Sequence, residues 1–351
     1  MRQAWLIFIS LLCFVGCAKH PAEQGSVPVG NKYATGFQIT PTDTGTIVEV
    51  FQPYQRVCVR EPMRRLGTMS TVQVGFLYAL DAMDCLVAVC NPELIYTPVK
   101  GDEIDLGDSM KPSAERVLQA GLDALLAVNY GQYDNLEAAR IEKLGVRTIY
   151  INEWQEGSPL ARAEWIRVLG ALTGKLHEAD SVFTEVERKY ISLTAQRSNS
   201  ETVLQRSGPT AQRSIMSGNN FRGTWYVPSG KNYLAYLFKD AGAEYPFYDD
   251  ARETSIPLTI EETLRYFHDA DVWVGAGGNS MEELAQMDEK HTWFKAYQNG
   301  RVYNWRKQRL PSGANNFWER GVVHPEEMLE DVIHMLNNAP DSTLHFALRL
   351  Y

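Results

Sequence analysis

The chain has no block of lysine and arginine, no cysteine or histidine pair at the spacing of a zinc site, and no apolar run as long as a membrane-spanning helix. With a net charge of -9, the first absence excludes a surface that neutralises a run of phosphates, so nucleic acid is not an expected partner. The second leaves a structural metal without obvious ligands, because His324 and His334 are too far apart to share one helical turn. The third excludes a helical span within the body. Cysteine is scarce as well. Of the 5 cysteines, Cys13 and Cys17 fall in the first apolar stretch, which leaves Cys58, Cys85 and Cys90, an odd set in which at least one thiol stays unpaired. Cys85 and Cys90 bracket one apolar run that reads as a strand, so their side chains are expected on opposite faces, a poor geometry for a disulfide.

The apolar stretch that is present opens the sequence. Arg2 precedes about twelve mostly apolar residues, Ala4 to Val15, the pattern of a secretory signal and too short for a span. It ends in Phe14-Val15-Gly16-Cys17, which resembles a bacterial lipobox with Phe14 where Leu is usual. On that reading residues 1–16 are removed and Cys17 is lipidated; an ordinary cleaved signal with a chance cysteine is the alternative. A multiply acylated terminus anchors stably, since each buried methylene adds about 0.8 kcal/mol. The expectation is an extracytoplasmic protein held to a membrane through its lipid, on the periplasmic side in a Gram-negative cell. Residues 17–45, with Pro21, Gly25, Pro28 and Gly30 among polar residues, read as a flexible linker. The sequence as a whole, 44% hydrophobic and 22% charged, is that of a folded protein with chain enough for two domains.

Beyond the linker, a hairpin is expected from Thr46–Val50 and Arg56–Arg60, both alternating apolar and polar. Helices from Ser70, Ser113 and Asn135 then lead to apolar strands at Cys85–Cys90, Asp123–Val128 and Val146–Ile151, the grammar of a mostly parallel sheet. From Ser158 the chain reads as helix to Leu172, pauses at Gly174 and continues as helix to about Gln196. Val182, Phe183, Val186, Tyr190 and Leu193 recur at helical spacing and mark a buried face. Strand and helix alternate again afterwards: strands at Ser214–Ser217, Asp271–Val274 and Arg301–Trp305, helices at Asn232–Lys239, Thr259–Phe267 and Trp293–Gln298, and a final helix opened by His324-Pro325-Glu326-Glu327. The expected fold class is α/β, with an N-terminal lobe at 46–157, an interlobe helical region at 158–197 and a C-terminal lobe at 198–351.

Three stretches carry a family resemblance: Ser158-Pro-Leu-Ala-Arg-Ala-Glu-Trp-Ile-Arg-Val-Leu-Gly170, Gly223-Thr-Trp-Tyr-Val-Pro-Ser-Gly230 and Val323-His-Pro-Glu-Glu-Met-Leu. The chain from about Thr46 to Leu336 resembles a class III substrate-binding lipoprotein of an ABC importer, the group that takes iron(III) siderophores, cobalamin or haem, in a branch found in Bacteroidetes. The resemblance implies two α/β lobes joined by one long rigid helix, a ligand cleft between them, modest closure, and a monomer that works with a permease dimer and its ATPase. It implies no catalysis and no resident cofactor, though the ligand itself contains iron or cobalt. It also implies an acidic residue on each lobe for the permease, and Glu115 and Glu261 fall at the matching helix starts, with Glu262 next in register.

Ligands of open α/β sheets bind beyond the carboxyl ends of the strands. The first-lobe candidates are therefore Met69, Ser70, Thr71, Asn129, Tyr130 and Gly131. Those of the second lobe are Asn220, Arg222, Trp225, Tyr226, Trp305, Arg306 and Arg309. Arginine with aromatic groups suits a flat, anionic or conjugated ligand, which leaves a ferric siderophore, cobalamin and haem open. A surface lipoprotein enzyme is the alternative of another class. Its candidate groups, Asp249-Asp250, Glu261-Glu262 and Ser229, lack partners at catalytic spacing, and Gly275-Ala-Gly-Gly278 meets Ser280 where a phosphate-binding loop needs its last glycine.

Overall fold

The computed structural model describes residues 30–129, 136–205 and 213–351. It opens on an antiparallel meander, β1 (Phe37–Thr42), β2 (Gly45–Phe51) and β3 (Tyr54–Val59). The first lobe continues with β4 (Leu66–Thr68), α1 (Thr71–Ala79), β5 (Leu86–Val89), β6 (Ile104–Asp105), α2 (Ala114–Ala120), β7 (Ala124–Ala127), α3 (Leu136–Lys143) and β8 (Thr148–Tyr150). Its five strands pair in the order β6-β5-β4-β7-β8, all parallel. Short apolar runs such as Ala124–Ala127 are buried throughout, as strands covered by helices on both faces must be. Polar residues start the helices: Ser70 and Gln73 form a reciprocal capping box on α1, and Ser113 caps α2. Cys85 and Cys90 enter the cores on opposite faces of the sheet, and Cys58, Cys85 and Cys90 are all free thiols.

The lobes are joined by α4 (Pro159–Glu164), α5 (Ile166–Thr173) and α6 (Leu176–Gln205). The pause expected at Gly174 is a reversal: its φ of 76° is left-handed, and α5 folds back on α6 so tightly that a Cβ on Gly170 would lie 2.6 Å from that of Ala179. Phe183, Val186 and Tyr190 bury the expected face of α6, which runs on past the expected end near Gln196 to Gln205.

The second lobe holds β9 (Ile215–Ser217), β10 (Asn220–Phe221), β11 (Thr224–Val227), α7 (Tyr233–Asp240), β12 (Ile256–Leu258), α8 (Ile260–Phe267), β13 (Val272–Val274), α9 (Met281–Met287), α10 (Lys295–Gln298), β14 (Val302–Asn304), α11 (Arg320–Val323), α12 (Pro325–Asn337) and β15 (Leu348–Arg349). Its main sheet runs β15-β14-β13-β9, parallel except for β15, and β10-β11-β12 form a separate antiparallel sheet.

The expected linker of residues 17–45 ends sooner than composition suggests. Buried Glu164 accepts the main-chain N–H groups of Lys32, Tyr33 and Ala34 at 2.7 to 2.8 Å, and Glu156 accepts those of Thr35 and Gly36. Lys32 and Tyr33 both reach Glu187 on α6. Distant carboxylates order this polar segment, so local composition cannot reveal it.

Two buried polar joints hold one lobe to the other. Glu319, just before α11, accepts the N–H groups of Tyr96 and Thr97 in the first lobe, while Gly75 of α1 lies so near that a Cβ there would meet the Glu319 backbone at 2.8 Å. At the other joint, Glu153 follows β8 and lies 3.8 Å from Arg162 of α4, whose guanidinium sits 4.2 Å above the Tyr233 ring of α7. Burial pushes Glu153 from its usual 4.5 up to about 7, against the pull of Arg162. The folded chain thus holds this proton more tightly than the unfolded chain, and the group's contribution, full below about pH 4.5, is lost as pH rises toward about 7. Glu153→Gln removes that dependence. Urea denaturation at intervals across this window is expected to show the variant gaining on the wild type as pH rises, with no further change above it; parallel pH profiles would contradict the assignment.

Candidate functional site

The parallel strands of each lobe point their carboxyl ends at loops that carry most of the expected site residues. In the first lobe, Met69 follows β4 but is 2% exposed, and its backbone N–H is shared between Leu126 and Gln73, so its side chain belongs to the core. Ser70 is engaged as the α1 cap, and Thr71 is half-buried beside it. Asn129, after β7, donates its N–H to the side-chain oxygen of Asn152 at 3.0 Å. Asn152 was not expected. It is 2% exposed, and its amide also donates to the carbonyl of Gln52 at the β2–β3 turn, so one buried side chain ties three loops at this end of the lobe. Tyr130, Gly131 and Cys17 lie outside the described residues.

In the second lobe the β10–β11 hairpin rises from the end of β9. Asn220 accepts the N–H of Gly223, and Arg222 takes a φ of 52° in the turn, with its guanidinium 5.2 Å from the Phe221 ring. Trp225 and Tyr226 part company. Successive strand residues face opposite ways, and Trp225 turns inward, 1% exposed, donating to Ser217 and packing on Trp273 at 5.3 Å. Trp225 is therefore core and not a ligand contact, whereas Tyr226 is 47% exposed. After β14, Trp305 is half-buried and stacks on Phe317 with centroids 4.7 Å apart.

Arg306 is engaged within its own lobe. Its guanidinium donates to Asn279 at 2.8 Å and to the Gly277 carbonyl at 2.9 Å, which fixes the glycine-rich loop after β13. Desolvation lowers its pKa, and its charge is committed to that loop. Arg222 and Arg309 remain as exposed cations near the strand ends.

Glu115 lies exposed in the first turn of α2 and Glu261 in the first turn of α8. Glu261 pairs with Lys290 at 3.1 Å, and hydrogen bonding holds its carboxyl below the usual range. Glu262 is instead the reciprocal partner of Thr259 in the capping box, so the outward carboxylate of this pair is Glu261.

Among the described residues one cluster has ligand atoms close enough for a cation: those of His324, Glu326 and Glu327 lie within 4.8 Å of one another. Histidine-to-histidine spacing missed it because the other donors are carboxylates at the start of α12. Arg320 already covers Glu327 with bonds of 2.6 and 2.8 Å, and His324 meets Glu326 at 3.1 Å, so the group is largely compensated as it stands. It borders an interlobe recess of about 760 Å³ lined by Tyr78, Tyr96, Val182 and Arg320, among others.

Comparison with known proteins accounts for this two-lobed arrangement. Residues 68–309 match the model of the periplasmic binding protein family. An uncharacterized lipoprotein of Methanocaldococcus jannaschii is 24% identical over 294 residues, which cover 80% of this chain and 66% of that protein. The triscatecholate siderophore-binding protein of Bacillus subtilis, solved with ferri-bacillibactin, superposes with a TM-score of 0.59 at 14% identity over 81% of this chain and 96% of its own. The periplasmic vitamin B12-binding protein of Vibrio cholerae gives 0.58 at 16% identity over 79% and 98%. Both share the fold. With residues 68–309, most of its length, matched, the chain belongs to the periplasmic binding protein family, a family of substrate-binding proteins and not of enzymes.

Proposed function

We propose that this protein captures a bulky iron(III) chelate of the siderophore type between its lobes and delivers it to an ABC permease dimer with its ATPase, working as a monomer on a lipid anchor at Cys17. The observation that carries the reading is the pairing of exposed Arg222 and Arg309 with Tyr226 and Trp305 beyond the strand ends of the second lobe. Cations and ring faces together suit an anionic chelate with conjugated arms. The commitment of Arg306 elsewhere favours a second reading, cobalamin, which needs ring faces more than charge, and Trp318, 50% exposed, adds another. Haem fits less well, since Tyr226 is the one axial-ligand type among the second-lobe candidates.

Titration of the purified chain with ferric siderophores, haemin and cyanocobalamin, followed by tryptophan quenching, tests this directly. A ferric siderophore is expected to bind tightly, and Arg222→Ala to weaken it by roughly tenfold or more through loss of a charged hydrogen bond. Binding of cyanocobalamin alone would overturn the iron reading.

For the permease, the acidic pair is expected to act together. Uptake by cells carrying Glu115→Lys with Glu261→Lys should be abolished while ligand affinity is unchanged. Normal uptake by that double variant would remove both residues from the docking surface.

A further inference from the structure

We infer that the β2–β3 turn is a third wall of the cleft, on which Phe51, Tyr54 and Trp154 stack an aryl or macrocyclic part of the ligand. This rests on the reading of the cleft as the seat of a metal chelate.

The position of the turn follows from side-chain amides. Gln55 at the start of β3 donates to the Thr148 carbonyl at 3.1 Å and accepts the Tyr150 N–H at 3.0 Å, as a neighbouring strand would along the open edge of β8. The turn therefore stands level with the carboxyl end of β8, the end at which the sheet presents ligand loops. Asn152 then fastens it to the same framework as Asn129.

What the turn presents is apolar. Phe51 and Tyr54 are cross-strand partners, so their side chains share one face of the hairpin, and they are 41% and 63% exposed. Trp154, two residues beyond Asn152, is 40% exposed. All three rings are left in water within two residues of Gln52 or Asn152, the pair that fastens the turn, and exposed large apolar groups gathered in this way mark a binding surface. They are also held in place. Phe51 donates its N–H to Gly36, which Glu156 clamps, and the Tyr54 hydroxyl donates to Glu49 at 2.8 Å. A preformed ring surface costs little ordering entropy on binding. If the rings served only the hairpin, their cross-strand contact would matter to stability and not to ligand affinity.

The rings predict selectivity for aryl or macrocyclic chelates over aliphatic ones. The experiment is calorimetric titration of the full-length protein in detergent with ferri-bacillibactin, haemin, cyanocobalamin and the aliphatic hydroxamate ferrioxamine B. For the aryl or macrocyclic probe that the wild type binds, Phe51→Ala with Tyr54→Ala is expected to weaken affinity by roughly tenfold, and Trp154→Ala also to weaken it. Tyr54→Phe should bind as the wild type does, and Tyr351→Ala, a control at an exposed ring on the chain terminus, should change nothing. Equal thermal midpoints establish that the variants fold. Unchanged affinity in the double variant would overturn the inference and leave the cleft reading standing, as would wild-type binding of ferrioxamine B alone. Failure of the wild type to bind any of the four would overturn both.

Discussion

Much of this molecule depends on buried carboxylates that each gather several main-chain N–H groups. Glu164 takes three from the incoming chain and Glu156 two more, Glu319 takes two from the opposite lobe, and Asp331 on α12 takes three from His345, Phe346 and Ala347. A carboxylate taken out of water is costly unless its oxygens are bonded, and charge-assisted N–H bonds are the strong kind. Each such group also serves donors that no helix or sheet could satisfy. Burial still raises Glu319 and Asp331 above the usual carboxylate range, because desolvation outweighs the backbone bonds they accept. The result is a frame of helices to which the entry segment, the first-lobe loop at residues 96–97 and the C-terminal strand are fastened.

That frame bears on binding. With α5 folded back on α6 and Glu319 reaching into the first lobe, the lobes are joined by packed helices and by direct contact, so large hinge rotation would break buried bonds. On the proposed reading, selectivity then rests on what the strand ends already present. In the second lobe these are Arg222, Arg309, Tyr226 and Trp305; in the first, loops drawn together by Asn152.

Periodicity and capping chemistry made the skeleton readable from sequence. Ser70, Ser113, Asn232 and Thr259 sit at the caps where side-chain oxygen before an apolar pattern placed them, and the runs at 86–89, 124–127 and 272–274 are parallel strands. The very short strands β6, β10 and β15 give too few residues for any period to show. The site was less readable. Whether Trp225 or Tyr226 is left exposed depends on strand register, and whether Arg306 is available depends on Gly277 and Asn279, about thirty residues away. Asn152 is one polar residue among many until its three loops are assembled.

On the proposed reading, one ligand is held by both lobes at once. Hydrogen exchange, with and without whichever of ferri-bacillibactin, haemin and cyanocobalamin binds, measures this most directly. Protection is expected together at residues 128–129 and 150–155 in the first lobe and at 219–226 and 305–309 in the second. Protection confined to one lobe, or none at the strand ends, would contradict the account.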